Sequence, residues 1–232
     1  MKLWQLEEQL EEVEGFGKPN VKLEQYPTSA HIAAHMLFTI DRTYEEIQDR
    51  VIADLGCGCG ILGIGAALLG SGQTIGFEID ENAIAIAVNN NAEMETCVEF
   101  VQCDVSNFCL AAVPPQQRLI DTVIMNPPFG TKLKGIDMVF LQKALQMARV
   151  SVYSLHKTST REHIERKARQ WGAKGEVLAE LRYDIPAMYR FHKKQSVDIE
   201  VDFWRFEILS SSPTSSASSS ATAVKQKRRI NK

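Results

Sequence analysis

The sequence contains no long hydrophobic run, and no stretch of its 232 residues approaches the ~20 apolar residues that a membrane-spanning helix requires. The first eight residues, Met1–Glu8, are too acidic and too short in apolar content for a signal peptide. We therefore expect no membrane partner, and we expect the protein to reside in the nucleus and cytoplasm.

A paired cysteine framework is also missing, since the chain has an odd number of cysteines: Cys57, Cys59, Cys97, Cys103 and Cys109. Reduced thiols are the simplest interpretation. There is no C-x2-C motif with a nearby histidine pair, so the spacing predicts no protein-bound metal. His31 and His35 lie one helical turn apart without an apparent third ligand, and we expect both to be partly buried helix residues.

Acidic residues are absent from residues 210–232, which carry five basic ones: Lys225, Lys227, Arg228, Arg229 and Lys232. The first 209 residues therefore hold 21 of the 26 basic residues and all 29 acidic ones, a net charge of −8. Such an acidic body binds polyanions poorly, so contact with nucleic acid must come from a local patch, the tail or a partner subunit. The Ser-rich tail is predicted to be disordered, and either an RNA-contacting or nuclear-import role or plain solvation fits it.

What the chain does contain is an alternation of strands and helices. Strands are predicted at 51–55, 73–78, 98–102, 119–125, 150–155, 176–181 and 197–206, and helices at 61–69, 81–92, 137–149 and 159–171. This pattern indicates an α/β fold with a mostly parallel, seven-stranded sheet. The last two strands are joined by a loop at 182–196 and form an antiparallel hairpin. Residues 1–50 are predicted to be a helical segment packed on this core, 51–209 the main domain, and 210–232 the tail.

Polar side chains follow four successive strands of the predicted sheet. A glycine loop, Asp54-Leu55-Gly56-Cys57-Gly58-Cys59-Gly60, joins the first strand to the next helix. Its three glycines have no Cβ, which lets a ligand approach the backbone. Glu78 ends the second strand, where a carboxylate can accept ribose hydroxyls, and Asp104 and Val105 follow the third. Because open α/β sheets bind ligands at the carboxyl ends of their strands, these residues predict one binding site.

The motif Asn126-Pro127-Pro128-Phe129 follows the fourth strand. Both prolines lack an N–H, so the backbone here presents mainly carbonyl acceptors, while Asn126 adds an amide oxygen and Phe129 a flat apolar ring. Acceptors beside a stacking ring suit a planar ligand that carries an NH2 group. Adenine and a carboxamide both meet this description.

Together these motifs resemble the class I S-adenosylmethionine-dependent methyltransferases that act on adenine N6 or amide nitrogens, which have a Rossmann-like fold. More narrowly, residues 1–206 resemble the eukaryotic 18S rRNA N6-adenosine methyltransferases. The resemblance implies S-adenosylmethionine as cofactor and Asn126, Pro127, Pro128 and Phe129 as the catalytic set. By the same resemblance, Gln25 and Thr28 close over the cofactor, and Gly56, Cys59 and Ile61 line its amino-acid end. Glu78 is expected to bind the ribose, and Asp104 and Val105 the adenine. Asp54 is a further expected cofactor residue.

The expected reaction needs an unstacked adenine whose N6 donates to the Asn126 side chain and the Pro127 carbonyl, with Phe129 stacked on the base. Two segments that combine aromatic or apolar residues with lysines and arginine, Thr131–Lys134 and Tyr189–Lys194, are expected to hold flanking RNA. A protein-glutamine N-methyltransferase, using the same pocket on a carboxamide, and a non-catalytic RNA-binding assembly factor remain alternatives.

A protein partner is expected at the strand Val98–Gln102, which is predicted to lie at an edge of the sheet. Exposed strand edges accept an additional strand from another chain. The family resemblance implies that this partner is the small zinc-binding activator subunit of eukaryotic methyltransferases, which would make the active form a heterodimer.

Overall fold

A computed structural model describes residues 1–108, 113–186 and 196–209 and contains one seven-stranded sheet. Its strands are β1 Val51–Leu55, β2 Gln73–Glu78, β3 Val98–Gln102, β4 Ile120–Met125, β5 Ala148–Lys157, β6 Ala173–Pro186 and β7 Ser196–Ile208. They are ordered β3-β2-β1-β4-β5-β7-β6. The first five strands pair in parallel, and β7 pairs antiparallel with both β5 and β6. The predicted α/β fold is confirmed, with β3 at one edge.

The strand order creates the place where a ligand binds. From β1 the chain moves outward through β2 and β3, then crosses back to form β4 on the other side of β1. The loops that leave β1 and β4 therefore diverge, which opens a crevice at their carboxyl ends. The glycine loop and the Asn126 motif stand on the two sides of this crevice.

The described part of the chain contains six α-helices: α1 Leu3–Glu11, α2 Ala30–Tyr44, α3 Ile61–Leu68, α4 Glu81–Glu93, α5 Ile136–Met147 and α6 Arg161–Gln170. One core cluster joins α1, α2 and α3 through fully buried residues such as Leu6, Leu37 and Ile40. A second contains buried residues of α5 and α6 with Trp204 and Phe206 of β7. Within the described ranges, no helix is long and apolar enough to cross a membrane.

The N-terminal segment forms because its apolar residues recur at helical spacing and meet a buried surface. Leu6 and Leu10 of α1 are 0% and 1% exposed against α2 and α3. Ser29 is the N-cap of α2, and its side chain accepts a hydrogen bond from Ile32 N at 3.3 Å. The chain between the two helices then runs beside the crevice.

The terminal hairpin is longer than its sequence predicts. The predicted loop began at residue 182, yet Arg182 pairs with Glu200 and the ladder continues to Pro186 opposite Ser196. This extension depends on hydrogen bonds between two strands rather than on an apolar pattern within either. The expected RNA-binding segment Tyr189–Lys194 and the tail 210–232 lie outside the described residues, as does Cys109.

Candidate functional site

Two adjoining cavities occupy the crevice, with volumes of about 210 Å³ and about 70 Å³. Eleven of the thirteen residues predicted from sequence line them. Those in the larger cavity are Gln25, Gly56, Glu78, Asp104, Val105, Asn126 and Pro128. Those in the smaller cavity are Thr28, Asp54, Gly56, Cys59, Ile61 and Asn126. Gly56 and Asn126 border both, so they mark where the two cavities meet.

The glycine loop forms one wall of the site because its backbone adopts conformations that side chains disfavour. Gly56, Gly58 and Gly60 have φ angles of +69°, +54° and +91°. A Cβ added to Gly58 would lie 2.8 Å from the Phe16 ring. The loop is anchored to β2 by Gly56 N, which donates to Phe77 O at 2.8 Å. At Gly56 and Gly58 the backbone therefore lines both cavities with no side chain between it and a ligand.

Glu78 holds this loop in place as well as facing the larger cavity. Its Oε2 accepts from Gly58 N at 2.9 Å, and its Oε1 accepts from Ile79 N at 2.8 Å and Asp80 N at 2.9 Å. Three of the roughly four acceptor positions of a carboxylate are thus used by the protein. The remaining acceptor position of Glu78 suits a ligand hydroxyl. The sequence did not reveal that Glu78 also organises the glycine loop.

Asp104 is fixed by a turn at the end of β3. It caps the 3-10 turn Val105–Asn107, accepting from Ser106 N at 2.8 Å and from Asn107 Nδ2 at 2.8 Å. Val105 is 3% exposed and lines the same cavity as the rings of Phe77 and Phe140. Apolar walls beside a carboxylate fit a purine that carries an amino group.

The segment Asn20–Thr28, here called the strap, joins both sides of the larger cavity. Gln25 Nε2 donates to Asp80 at 2.7 Å, and Gln25 Oε1 accepts from Asn20 N at 2.6 Å. Partial burial alone would raise the pKa of Asp80, but the hydrogen bonds from Gln25 and Asn82 outweigh it and hold the pKa below its usual value. The strap is thereby tied to the cofactor side of the crevice.

The other end of the strap reaches the Asn126 motif. Asn126 Nδ2 donates to Thr28 Oγ1 at 3.0 Å, and Lys132 N donates to Glu24 Oε1 at 2.7 Å. The first bond sets which edge of the Asn126 amide presents its oxygen. Glu24, Phe16 and Tyr26 line the cavities but were not predicted, because loop residues this far from the motif give no periodic pattern.

Pro127 and Phe129 are buried beside the cavities and are not among the residues described as lining them. Phe129 is 8% exposed and belongs to the core cluster that contains Leu37 and Tyr153. Its face is therefore committed largely to protein packing. That Phe129 stacks on a substrate base stays a prediction.

Asp54 is buried at the start of the glycine loop. Burial raises its pKa to about 7, although the hydrogen bond from Gly63 N to Oδ2, 2.9 Å long, opposes this and the charge of Glu78 adds to it. Its other oxygen has no hydrogen-bond partner among the described residues. The carboxyl thus links the loop to α3 from a position that disfavours its own charge.

We expect this raised pKa to make stability depend on pH. The folded state holds the Asp54 proton more tightly than the unfolded chain does. Protonation of Asp54 therefore stabilises the folded state fully below about pH 4, and this stabilisation is lost as the pH rises through about 7. Replacing Asp54 with Asn removes the titration. Between pH 4.5 and 7.5, urea unfolding should show the variant gaining about 1–3 kcal/mol relative to the wild type. Parallel pH profiles would contradict this, and the exposed Glu12→Gln is the control.

The loop cysteines are not placed for thiol chemistry. Burial, followed by the nearby charge of Glu78, raises the pKa of Cys59 to about 12, and burial also raises the pKa of Cys57. Thiols of this kind stay protonated and unreactive at neutral pH. Cys59 therefore serves the site through its shape and backbone.

Two expectations about His31 and His35 were wrong. Both side chains are exposed rather than partly buried, because they lie on the outer face of α2. A third possible ligand is also present, since Glu7 of α1 lies 2.9 Å from His31 Nδ1. None of these three residues is among those that line the two cavities.

Comparison with known proteins identifies the family to which the chain belongs. Residues 32–152 match the model of the methyltransferase small domain family. The chain is 57% identical over 208 residues to the rRNA N(6)-adenosine-methyltransferase METTL5 of Danio rerio, covering 89% of this chain and 99% of the relative. The corresponding Drosophila melanogaster protein is 52% identical over 210 residues, covering 90% and 97%.

A solved structure with the same fold is also similar to the chain. The chain is similar to an RNA methyltransferase candidate from Pyrococcus horikoshii, with a TM-score of 0.76, 34% sequence identity, and coverage of 91% of this chain and 98% of that one. The positive-φ glycines, Glu78 and Asp104 fit S-adenosylmethionine, the cofactor of such enzymes, in the larger cavity. This chain therefore belongs to the METTL5 family of S-adenosylmethionine-dependent methyltransferases, within the methyltransferase small domain group.

Proposed function

We propose that this methyltransferase modifies the N6 nitrogen of an adenosine in small-subunit (18S) ribosomal RNA and so supports translation. The observation that carries the proposal is the position of Asn126. It borders both cavities, and the bond from its Nδ2 to Thr28 fixes the orientation of its amide. The relatives named as rRNA N6-adenosine methyltransferases support the choice of rRNA as substrate.

Asn126 and Pro127 provide the two hydrogen-bond acceptors for the adenine amino group. The lone pair of an adenine N6 is delocalised into the ring, which makes this nitrogen a weak nucleophile. Hydrogen bonds from its two N–H groups to the Asn126 amide oxygen and the Pro127 carbonyl would orient it and raise its electron density. S-adenosylmethionine supplies the methyl group from an activated sulfonium. No general base is needed, since the nitrogen becomes acidic once it is methylated.

The rim of the larger cavity is suited to a nucleic acid. Lys132, Leu133 and Lys134 are exposed, and Leu133, which is 61% exposed, also lines the cavity. A base can enter the site only when it is unstacked, and exposed lysines beside an apolar side chain can hold the flanking phosphates and an adjacent base. The local positive charge offsets the acidic body described above.

Methyl transfer to purified components tests the proposal. With labelled S-adenosylmethionine, the protein should label small-subunit rRNA and leave a purified translation release factor unlabelled, and digestion of the RNA should yield N6-methyladenosine. Labelling of the release factor instead would identify a glutamine N-methyltransferase. Cofactor binding without transfer to either would identify an assembly factor without turnover.

We also propose that the small zinc-binding activator subunit pairs with β3. This strand lies at the edge of the sheet and, among the described strands, pairs with β2 alone, while its residues Glu99, Val101 and Gln102 are exposed. Val101 is 42% exposed and gives this edge an apolar side chain. A strand from the partner would cover it and satisfy the edge backbone.

Co-expression is expected to rescue solubility. Expressed alone, the chain should be poorly soluble because its edge strand is exposed. Co-expressed with the activator, it should be recovered as a one-to-one heterodimer. In cells, we expect this heterodimer in the nucleus and cytoplasm. Val101→Lys should reduce co-purification severalfold, whereas Lys174→Glu on β6, at the opposite edge, should not. A soluble, fully active monomer would contradict the proposed partner.

A further inference from the structure

Glu24 is a buried carboxylate that is not among the residues assigned to the cofactor. Its side chain is 6% exposed and lines the larger cavity from the strap. Oε1 accepts the 2.7 Å hydrogen bond from Lys132 N, whereas Oε2 is buried without a hydrogen-bond partner among the described residues. The backbone at Glu24 has φ +53°, a left-handed conformation that non-glycine residues rarely adopt. The fold thus keeps an acceptor at this point at some energetic cost.

A buried carboxylate oxygen without a partner is unfavourable unless a ligand donates to it. The cofactor's hydrogen-bond donors are its ribose hydroxyls, its adenine amino group and the ammonium group of its amino-acid end. By the family resemblance the first two have acceptors at Glu78 and Asp104. The amino-acid end lies beside Cys59 and Ile61, which line the smaller cavity, whereas Glu24 lines only the larger one. Lys132, to which Glu24 is bound, lies six residues after Asn126 on the same loop. Glu24 is therefore held to the substrate side of the cavity.

An adenosine inside an RNA chain has only two kinds of hydrogen-bond donor, the N6 amino group and the ribose 2′-hydroxyl. Under the proposed function, on which this inference rests, Asn126 and Pro127 take the two N6 hydrogens. The 2′-hydroxyl is the donor that remains. We propose that Glu24 Oε2 accepts a hydrogen bond from the 2′-hydroxyl of the target adenosine, which makes Glu24 the residue that selects ribose over deoxyribose.

The expected size of this selection follows from the charge of the acceptor. A deoxyadenosine in the site would leave the carboxylate oxygen buried and unsatisfied, which costs more than the loss of a solvated bond. A hydrogen bond to a charged group corresponds to about a ten- to hundredfold change in rate or affinity. The 2′-hydroxyl is also the group by which a protein distinguishes RNA from DNA at a single nucleotide.

Substrate analogues test this without altering the protein. The full-length enzyme, with its activator subunit if one is required, is given a small-subunit rRNA oligonucleotide that contains the mapped target. Replacing the target adenosine alone with 2′-deoxyadenosine or 2′-fluoroadenosine should lower kcat/KM by about tenfold or more. The same replacement at the neighbouring adenosine should have no effect. Equal rates on the ribose and deoxyribose targets would overturn the inference.

The variant Glu24→Gln then assigns the effect to this residue. The Gln amide oxygen can still accept from Lys132 N, so the strap stays attached, while an NH2 group replaces the free acceptor. We expect kcat/KM on the ribose target to fall about tenfold, with no further loss on the deoxyribose target and the cofactor Kd within about twofold. The exposed Glu12→Gln is the control.

The outcomes separate this inference from the function on which it rests. Independent, multiplying losses from Glu24→Gln and the deoxyribose substitution would show that the two groups do not interact. A weakened cofactor Kd as the main effect would assign Glu24 to the cofactor instead. Both results overturn the inference while leaving N6 methylation intact. Failure of the unmodified enzyme to form N6-methyladenosine on any RNA overturns the proposed function itself.

Discussion

Replacing Asn126 with Ala is expected to abolish most methyl transfer while leaving the cofactor bound. The variant loses the amide oxygen that orients the target nitrogen, an effect comparable to removing one preorganised hydrogen bond from a transition state, which costs about 10²–10³-fold in rate. The glycine loop, Glu78 and Asp104 are untouched, so the cofactor Kd should stay within about threefold, an energy change below 1 kcal/mol. Single-turnover methylation and calorimetry measure the two quantities separately.

Two controls separate this loss from a local collapse of the site. Asn126→Asp retains an acceptor oxygen but loses the donor to Thr28, so it should keep more activity than Asn126→Ala. Asn89→Ala removes an exposed amide from α4 and should be neutral. If Asn126→Ala kept wild-type activity, the assignment of the substrate side of the cavity would be wrong.

Replacing Glu78 with Ala is expected to weaken the cofactor more than any other single change. The variant loses the acceptor for a ligand hydroxyl and also the three backbone bonds that shape the loop at Gly58 and the turn at Ile79 and Asp80. Because hydrogen bonds to a charged group contribute about 1.5–3 kcal/mol each, the cofactor Kd should rise at least 100-fold.

The matched control for Glu78 is Glu81→Ala, which removes an exposed carboxylate three residues away in α4. Its cofactor Kd should be unchanged. Glu78→Gln keeps one acceptor oxygen and should fall between the wild type and Glu78→Ala. A Kd within threefold of wild type for Glu78→Ala would mean that the ribose lies elsewhere in the cavity.

The central sheet could be predicted because its strands carry local signals. The predicted bounds of β1, β2 and β3 agree with the structure, since each is a short segment with β-branched or aromatic residues that is followed by glycine or acidic residues. The hairpin bounds were less accurate because β6 and β7 extend each other by cross-strand pairing beyond their apolar segments. The length of a paired strand depends on its neighbouring strand, and the sequence of one strand alone does not determine it.

The site residues, too, could be predicted where the sequence carries a local signal and not where the contact is long-range. Residues at strand ends, such as Glu78 and Asp104, were found because the fold brings strand ends together. Gln25 and Thr28 were identified only through a family resemblance, and Glu24 was missed because its bond to Lys132 joins residues 108 positions apart. The burial of Phe129 was also not foreseen, since motif spacing identifies a residue but not the face it presents.

The most direct test of the central claim is the N6-methyladenosine content of small-subunit rRNA in cells with and without this protein. We predict that one adenosine loses its methyl group when the protein is removed. Expression of the wild type should restore the modification, whereas Asn126→Ala at equal abundance should not. An unchanged methylation pattern in cells that lack the protein would contradict the account.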